Sequence, residues 1–296
     1  MGDEAPDRMR HFRVEKGLAT LGPEAVRLVR LLDRCFLVWA DELQAAEMFF
    51  PPVVSVADLE RLGYFHDFPR QGALVSRLRA GAVHAGSAAR GAADAVAAEH
   101  LDASGYALTP AACYGAYLFL ADSVVGRRTN ITALAQCFRH QEPYEGPHKL
   151  FGFTQRKIVY VGTPDAVKAD LAKTERLLIE FAAALDLTLT RRPAASAFDP
   201  ASPRALVHNL FAPDMEFAYE DDLVVGHTNF HRTHYSQRCD IRTPDNNFAS
   251  AGCAGLVHEY WLVALLRHYG EDWATIRERL AAYLTQCAHE GRLAPV

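Results

Sequence analysis

The sequence lacks the features that define several large classes of protein. It has no apolar run of the ~20 residues needed to cross a bilayer, and its charged N-terminus MGDEAPDRMRHF lacks the apolar core of a signal peptide. Its six cysteines form no CxxC pair and no secreted-scaffold spacing. Its formal net charge of -5 gives no basic excess for binding phosphates along a nucleic acid. These absences predict a soluble cytoplasmic protein with reduced thiols, no membrane association and no nucleic acid as main partner.

The composition suits one large catalytic domain. Half of the 296 residues are apolar, which is enough for a full hydrophobic core. We predict a single domain over residues 1–296, of which residues 1–20 form a flexible leader. The sequence has no internal repeat that would divide it further.

Hydrophobic periodicity predicts both helices and strands. Apolar residues recur at helical spacing in three regions, after Pro23, over Ala166–Leu187 and over Trp261–Cys287. Two prolines predict that the run FFPPVV forms an edge or interface strand. Residues 191–213, with four prolines, are predicted to be mainly loop. Further strands are predicted within residues 113–162, 215–219, 223–226 and 227–230, and from Gly252. Antiparallel strands flanked by helices indicate an α+β fold.

Four separated stretches resemble the class II aminoacyl-tRNA synthetases, and within them the seryl branch. The first helix with FFPPVV resembles motif 1, CFRHQEPYEG and FGFTQRKIVYVG resemble the two strands of motif 2, and AGCAGLVHEYWLVALL resembles motif 3. TNFHRTHYSQR at residues 228–238 resembles a strand of the seryl branch, and LTPAACY at residues 108–114 resembles its substrate-binding loop. The resemblance implies a class II antiparallel sheet flanked by helices.

The tRNA-binding coiled coil of the seryl branch has no counterpart in this sequence, a combination similar to the amino acid:[carrier protein] ligases. Those proteins activate a small amino acid with ATP and load it onto the phosphopantetheine thiol of a carrier protein. The resemblance therefore implies a carrier protein and a small amino-acid or acyl substrate as partners. It also implies a homodimer built on motif 1, ATP with Mg2+, and no tRNA.

In the resembled family, one arginine of motif 2 and one of motif 3 bind ATP. Arg139 matches the first, and Glu142 matches the acidic residue after it. Tyr260, next to Glu259, occupies the position of the second arginine. A phenol has neither the permanent charge nor the bidentate donors of a guanidinium. We therefore predict that ATP activation is weakened or lost, by about a hundredfold or more in rate.

Other residues are predicted to contact substrate or nucleotide from their place in the motifs. Arg156 lies in the returning strand of motif 2, and Glu216 matches an acidic strand position that binds the nucleotide or its Mg2+. Asn229 matches a family position, and His231 lies on the same face because the side chains of a strand alternate. Glu216 and His231 also have a simpler interpretation, as a solvent-facing glutamate and a structural histidine.

The resembled ligases hold zinc with two thiolates and one carboxylate. Cys113 and Cys253 match the thiolates, but Lys157 stands at the carboxylate position, and an ammonium repels Zn2+. If the three side chains converge, the lysine lowers the pKa of a thiol and favours a nucleophilic cysteine. We thus predict Cys113, Cys253, Lys157 and Arg139 as catalytic residues. The alternatives are a zinc site at the two cysteines, cysteines that only pack, and a lysine that faces solvent.

Three functions fit these residues. The first is acyl or aminoacyl transfer involving a phosphopantetheine carrier protein, with the ATP step weakened or lost. The second is an active ATP-dependent ligase whose motif register differs from ours by a residue or two. The third is a non-catalytic binding or regulatory protein on the same scaffold. The survival of Arg139, Cys113, Cys253 and Asn229 favours an enzyme.

Overall fold

The computed structural model describes residues 12–80, 96–144, 146–195, 198–202, 204–205 and 214–292. Its helices are α1 Pro23–Glu42, α2 Val56–Arg61, α3 Tyr64–Asp67, α4 Cys113–Phe119, α5 Pro164–Ala184, α6 His234–Cys239, α7 His258–Tyr269 and α8 Trp273–His289. Its strands are β1 Phe12–Glu15, β2 Leu18–Leu21, β3 Ala46–Glu47, β4 Val53–Ser55, β5 Leu74–Leu78, β6 Leu101–Leu108, β7 Arg128–Phe138, β8 Gly152–Gly162, β9 Leu189–Pro193, β10 Met215–Tyr219, β11 Leu223–Arg232 and β12 Ser250–Val257.

One large sheet organises the described part of the chain. Its strand order is β1-β2-β8-β12-β11-β10-β9, and β7 pairs with β8 and with the short β3. The five long pairings from β7 to β9 are antiparallel. Helices pack on this sheet, so the predicted α+β class is confirmed. The motif 2 hairpin is β7 and β8, whose register runs without a shift from Arg128 opposite Gly162 to Phe138 opposite Gly152.

The two faces of the sheet pack against different helices. Ile158 and Tyr160 of β8 join the main core under the long helices α1, α5, α7 and α8, where Trp39 and Trp261 are fully buried. Val159, between them in sequence, packs in a second core with residues of α4 and α6. This alternation follows from the period of two along a strand. The second face also bears the cavity described below.

A small sheet of order β4-β6-β5 lies beside the large one. Strand β4 follows the two prolines and, of the described strands, pairs with β6 alone, so it takes the edge position, one of the two that were predicted. The two phenylalanines of FFPPVV differ sharply. A side chain added at Gly115 would come within 2.4 Å of the Phe50 ring, which therefore rests on that glycine, while Phe49 is 83% exposed.

Several sequence predictions need correction. Within the leader predicted at residues 1–20, Phe12–Leu21 form a hairpin, because Lys16 and Gly17 adopt the positive φ angles of a tight turn and the apolar residues on either side alternate. Residues 1–11 lie outside the described chain. The loop predicted from residue 191 begins with the end of edge strand β9, and residues 206–213 are not described.

Two boundaries near the C-terminal half also differ from prediction. The last helical region is two helices, because Gly270 has a φ of +64 and ends α7. His234 begins helix α6 rather than continuing the strand of Asn229. Within the described ranges, no helix is long and apolar enough to cross a membrane.

Candidate functional site

Strand register aligns five residues in one row across the second face of the sheet. The row consists of Lys157 on β8, Gly255 on β12, His227 on β11, Glu216 on β10 and Arg192 on β9. Because residues paired across a sheet share a face, their side chains all rise on the same side. The row therefore places two cations, one carboxylate and one imidazole along a single line.

A cavity of about 290 Å3 lies over this row. Its floor includes Gln155, His227 and Asn229, and its walls include Arg139 and Tyr260. Part of its opposite rim comes from the segments around Tyr64, Phe198 and Asp214. A cavity of this size suits a small molecule or the end of a larger one.

Lys157 and His227 meet beneath the cavity floor. The Lys157 side chain is 2% exposed, and its Nζ lies 2.7 Å from Nε2 of His227. Burial, and then the charges of Lys157 and Arg139, hold the pKa of His227 well below its ordinary value of 6.5. The imidazole is therefore neutral at neutral pH. No carboxylate in the described ranges contacts Lys157.

Gly255 makes this contact possible. A Cβ at that position would lie 2.5 Å from Cε1 of His227 and 2.7 Å from Nε2 of Gln155. The absence of a side chain lets the imidazole cross β12 and reach Lys157 on β8. Gln155 is fully buried, and both atoms of its amide lack a hydrogen-bond partner among the described residues. Oδ1 of Asn229 is likewise buried without a partner there.

The wall of the cavity stacks three side chains from different elements. Arg139 donates Nε to the carbonyl of Pro110 at 3.1 Å, and its guanidinium lies 5.3 Å from the ring centre of Phe153. The Tyr260 ring also stacks on Phe153, with ring centres 6.4 Å apart and an angle of 24° between the ring planes. The Tyr260 hydroxyl accepts a hydrogen bond from the Leu150 amide at 3.3 Å. Burial raises the pKa of Tyr260, so it is an uncharged phenol at neutral pH.

A chain of hydrogen bonds behind the cavity leads to Cys113. Arg204 lies 3.3 Å from Nδ1 of His231, and a guanidinium can only donate. Nδ1 therefore accepts, and Nε2 donates to Sγ of Cys253 at 3.2 Å. A hydrogen bond from Cys253 and, as a smaller contribution, the charge of Lys157 together lower the pKa of Cys113 to about 7 despite burial. Burial and the same hydrogen bond raise the pKa of Cys253 to about 12.

Two curated proteins of Bradyrhizobium diazoefficiens are similar to this chain. One, amino acid–[acyl-carrier-protein] ligase 1, is 31% identical over 242 residues, which are 75% of this chain and 71% of the relative. The chain belongs to this ligase family. The second relative, amino acid–[acyl-carrier-protein] ligase 2, is 30% identical over 243 residues, which are 77% of this chain and 71% of that protein. No protein-family profile matches the chain.

The fold of this ligase-family chain is also that of a class II synthetase. The seryl-tRNA synthetase of M. kandleri, solved in complex with A. aeolicus tRNASec, superposes with a TM-score of 0.75 at 19% identity. The match covers 92% of the present chain, which spans only 58% of the synthetase chain. The predicted resemblance to class II synthetases, and within them to the carrier-protein ligases, is confirmed.

Not all the residues predicted from the family motifs lie at the cavity. Arg139, Glu216, Asn229 and Tyr260 line it. Glu216 also lies 3.6 Å from Arg192 on the neighbouring strand β9. Four other predicted residues do not line the cavity but lie behind its floor. They are Cys113, Cys253, Lys157 and His231.

Three other predicted residues lie away from the cavity. Arg156 points to the opposite face of β8, where it forms ion pairs with Asp33 and Glu47. Both carboxylate oxygens of Glu259 accept the Thr154 amide, at 2.9 and 2.8 Å, so Glu259 fixes α7 to β8. Glu142 is exposed on the long turn of the hairpin. These placements give Arg156 and Glu259 structural partners in place of the predicted ligand.

The donors of this ligase-family chain do not fit the zinc ion that the resemblance implies. Cys113 and Cys253 are in contact, as a zinc site needs, but the next charged group is the ammonium of Lys157. An ammonium has no lone pair to give a metal and repels it. Among the described residues no group of three or more His, Cys, Asp or Glu side chains has the geometry of a metal site.

Sequence analysis missed His227, Gln155 and Arg204. His227 follows Gly226, which suggested a break between two strands, whereas β11 continues through both. Gln155 lies two residues before Lys157, so strand alternation alone places it on the same face. No local signal marks Arg204, because its contacts with Asp67, His231 and Tyr235 are all distant in sequence.

Proposed function

We propose that this protein transfers a small acyl or aminoacyl group to the phosphopantetheine thiol of a carrier protein, and that its ATP-dependent activation step is weakened or lost. Membership of the ligase family supports a carrier protein and a small acid as partners. The finer claim about ATP depends on one wall of the cavity.

The single observation behind the weakened ATP step is the environment of Tyr260. In the resembled family this position supplies a second cation for the triphosphate. Here it is a neutral phenol stacked on Phe153 and hydrogen-bonded to the Leu150 amide. Arg139 is the arginine that remains in the same wall of the cavity as Tyr260. Phosphoryl chemistry relies on preorganised cations, and loss of one such contact costs about a hundredfold or more in rate.

An ATP-independent route is open to a group that already forms a thioester. The Cys113 thiolate would attack the thioester carbonyl, forming a new C–S bond while the bond to the donor thiol breaks and that thiol leaves as a thiolate. Attack by the carrier thiolate on the Cys113 thioester then regenerates Cys113. Cys113 is 4% exposed, so this route requires its neighbours Ala111 and Tyr114, which line the cavity, to move aside.

Intact-mass spectrometry of a carrier protein tests the proposal. The full chain is incubated with phosphopantetheinylated carrier protein and candidate acids, with and without ATP, and with acyl thioesters. We expect loading from thioesters, and loading from free acids with ATP to be slower by about a hundredfold than in an ordinary synthetase. The matched control is the same carrier without its phosphopantetheine arm. Rapid ATP-dependent loading would instead identify an active ligase, and no loading under any condition would favour a binding protein.

We also propose a homodimer that covers the small sheet. Phe49 is 83% exposed, Leu74 is 64% exposed and Leu78 is 58% exposed, all on or next to that sheet. Exposed apolar side chains of this size mark candidate interaction sites, and the resembled class pairs through motif 1. Light scattering should give twice the chain mass, and Phe49→Ser should lower the fraction of dimer. A monomer at every concentration would exclude the proposal.

A further inference from the structure

Three side chains around the cavity have hydrogen-bonding atoms that the described part of the protein does not use. Gln155 is fully buried, and neither its Nε2 nor its Oε1 has a partner among the described residues. The hydroxyl of Tyr64 and Oδ1 of Asn229 are also buried and have no partner in the same ranges. All three residues line the cavity. Because buried polar atoms in folded proteins are nearly always hydrogen-bonded, these atoms mark a place where a ligand completes the bonds.

The four unused atoms are uncharged and include both donors and acceptors. Nε2 of Gln155 and the hydroxyl of Tyr64 donate, whereas Oε1 of Gln155 and Oδ1 of Asn229 accept. Burial raises the pKa of Tyr64 to about 12, so its hydroxyl keeps the proton at neutral pH. A charged group of a ligand has Arg139 or Glu216 as a partner in the same cavity. The unused atoms instead match uncharged groups that both donate and accept.

Strand register separates the two amide side chains of this set. Asn229 lies directly opposite Cys253 in the pairing of β11 with β12. Nε2 of Gln155 lies 2.7 Å from the place that a Cβ on Gly255 would take. Gly255 and Asn229 are diagonal neighbours on adjacent strands, about 7–8 Å apart. Two polar groups a few atoms apart on an extended chain suit this spacing better than one small group.

A pantetheine arm has two such groups near its thiol. Two methylenes lead from the thiol to a first amide, and two more lead to a second amide. The two N–H groups match Oδ1 of Asn229 and Oε1 of Gln155, and the two carbonyls match Nε2 of Gln155 and the hydroxyl of Tyr64. Asn229 is the member of the set opposite Cys253, which contacts Cys113. An arm whose first amide bonds with Asn229 therefore directs its thiol towards Cys113.

We propose that Gln155, Asn229 and Tyr64 form a subsite for the two amides of a pantetheine arm. The inference rests on the proposed function, which brings a pantetheine thiol to this cavity, and deepens it by naming the residues that recognise the arm. Coenzyme A thioesters and phosphopantetheinylated carrier proteins have the same arm. One subsite thus places first the donor thioester and then the acceptor thiol next to Cys113. Phe198, which also lines the cavity, offers an apolar surface for the methylenes.

A matched pair of ligands tests the subsite on the full chain without carrier protein or ATP. Pantetheine is compared with its ester analogue, in which an oxygen replaces the N–H of the amide next to the thiol. Both are titrated under reducing conditions by calorimetry or ligand-observed NMR. We expect pantetheine to bind about tenfold more tightly, because the ester leaves a buried acceptor unpaired. Equal binding of the two, or saturable binding of neither, would overturn the proposal.

Substitutions in the subsite sharpen the result. Asn229→Leu removes the acceptor for the first amide, so the two ligands should bind equally. Gln155→Met should weaken both by about tenfold without lowering the melting temperature of the free protein, because it removes an unpaired buried amide. Gln136→Met, at an exposed glutamine of the adjacent strand β7, is the matched control and should change neither binding nor melting. Unchanged pantetheine binding in Gln155→Met would contradict the subsite, and the wild-type comparison decides if Asn229→Leu does not fold.

Carrier loading, measured separately by intact mass, distinguishes the failure of this inference from that of the proposed function. Selective pantetheine binding without loading of any carrier would remove the proposed function and leave the subsite. Loading from acyl thioesters that is as fast in Gln155→Met as in the wild type would support the function and overturn the subsite. A higher KM in Gln155→Met for both the coenzyme A thioester and the carrier would support one shared subsite, and a higher KM for one alone would assign the subsite to that partner.

Discussion

Arg156 and Lys157 are neighbours on strand β8, and both are almost fully buried, at 1% and 2% exposure. Their surroundings differ completely. Arg156 donates from Nε and Nη2 to the two oxygens of Asp33, each at 2.7 Å, and from Nη1 to Glu47 at 2.8 Å. The side chain of Lys157, by contrast, contacts the imidazole of His227 and no described carboxylate. One buried cation is fully paired, and the other is not.

The difference teaches where to look for function. A buried charge with well-placed partners holds elements together, in this case α1 and the end of β3 against β8. A buried charge without a carboxylate is unfavourable for folding unless something else compensates. Such local conflicts are expected at functional sites. Lys157 lies behind the cavity, whereas Arg156 lies on the face that packs on α1.

The largest effect should come from removing the paired cation. Arg156→Met leaves the largely buried carboxylate of Asp33 and the half-exposed carboxylate of Glu47 without their guanidinium, and we expect a loss of about 3–5 kcal/mol in the free energy of unfolding. Urea denaturation of the variant and the wild type measures it. A loss below about 1 kcal/mol would mean that the ion pairs are not structural.

The acid dependence of stability should change in the same variant. Although burial acts to raise it, hydrogen bonds from His258 and Arg156 lower the pKa of Asp33 from 3.8 to about 2. Because the folded-state pKa is the lower one, the resulting stability of about 2 kcal/mol is present above pH 4 and is lost as the pH falls towards 2. Between pH 5 and pH 2 the free energy of unfolding, measured by urea denaturation, should change less with pH in Arg156→Met than in the wild type. An unchanged slope would contradict the assignment to Asp33.

Lys157→Met, the matched substitution on the other face, should have a small effect of opposite sign. Methionine has similar length and needs no counter-charge, so we expect the free energy of unfolding to rise by about 1 kcal/mol. The same urea series provides the measurement. A destabilisation as large as that of Arg156→Met would show that Lys157 is paired as strongly as its neighbour, and the comparison would fail.

The smallest effect concerns the thiol next to Lys157. A hydrogen bond from Cys253, together with the charge of Lys157, lowers the pKa of Cys113 to about 7 against the effect of burial. The rate of Cys113 alkylation, followed by peptide mass spectrometry, should rise with pH about a midpoint near 7. Cys253→Ala and Lys157→Met should each move that midpoint upward. Cys137, whose pKa burial raises, is the internal control, and equal rates at the two thiols would oppose the prediction.

The comparison of Arg156 with Lys157 also shows which site residues can be predicted from the sequence. Motif resemblance placed Arg139, Glu216, Asn229 and Tyr260 at the cavity, because these positions depend on the family fold. Arg156 was wrongly grouped with them, although alternation along one strand already sends residues 156 and 157 to opposite faces. Strand alternation is enough to separate the two residues, whereas closeness to the motif 2 residues in sequence is not evidence of a shared face.

The contact between Lys157 and His227 was beyond sequence reasoning for a different reason. The two residues lie 70 positions apart and on strands that are not adjacent, with β12 between them. Their meeting depends on the register of two strand pairs and on Gly255 lying between them. A register is fixed by long-range packing, and a shift of one residue would send His227 to the other face.

The protonation of His227 tests the central claim most directly. In protein labelled with 15N at histidine, with the signal assigned through His227→Gln, two-bond correlations distinguish the ring nitrogens. We predict the Nδ1–H tautomer, with Nε2 unprotonated and hydrogen-bonded, and no titration near the ordinary value of 6.5. In Lys157→Met the 15N chemical shift of Nε2 should change to that of a nitrogen that accepts no hydrogen bond. An Nε2–H tautomer, or an imidazolium at pH 7, would contradict the account.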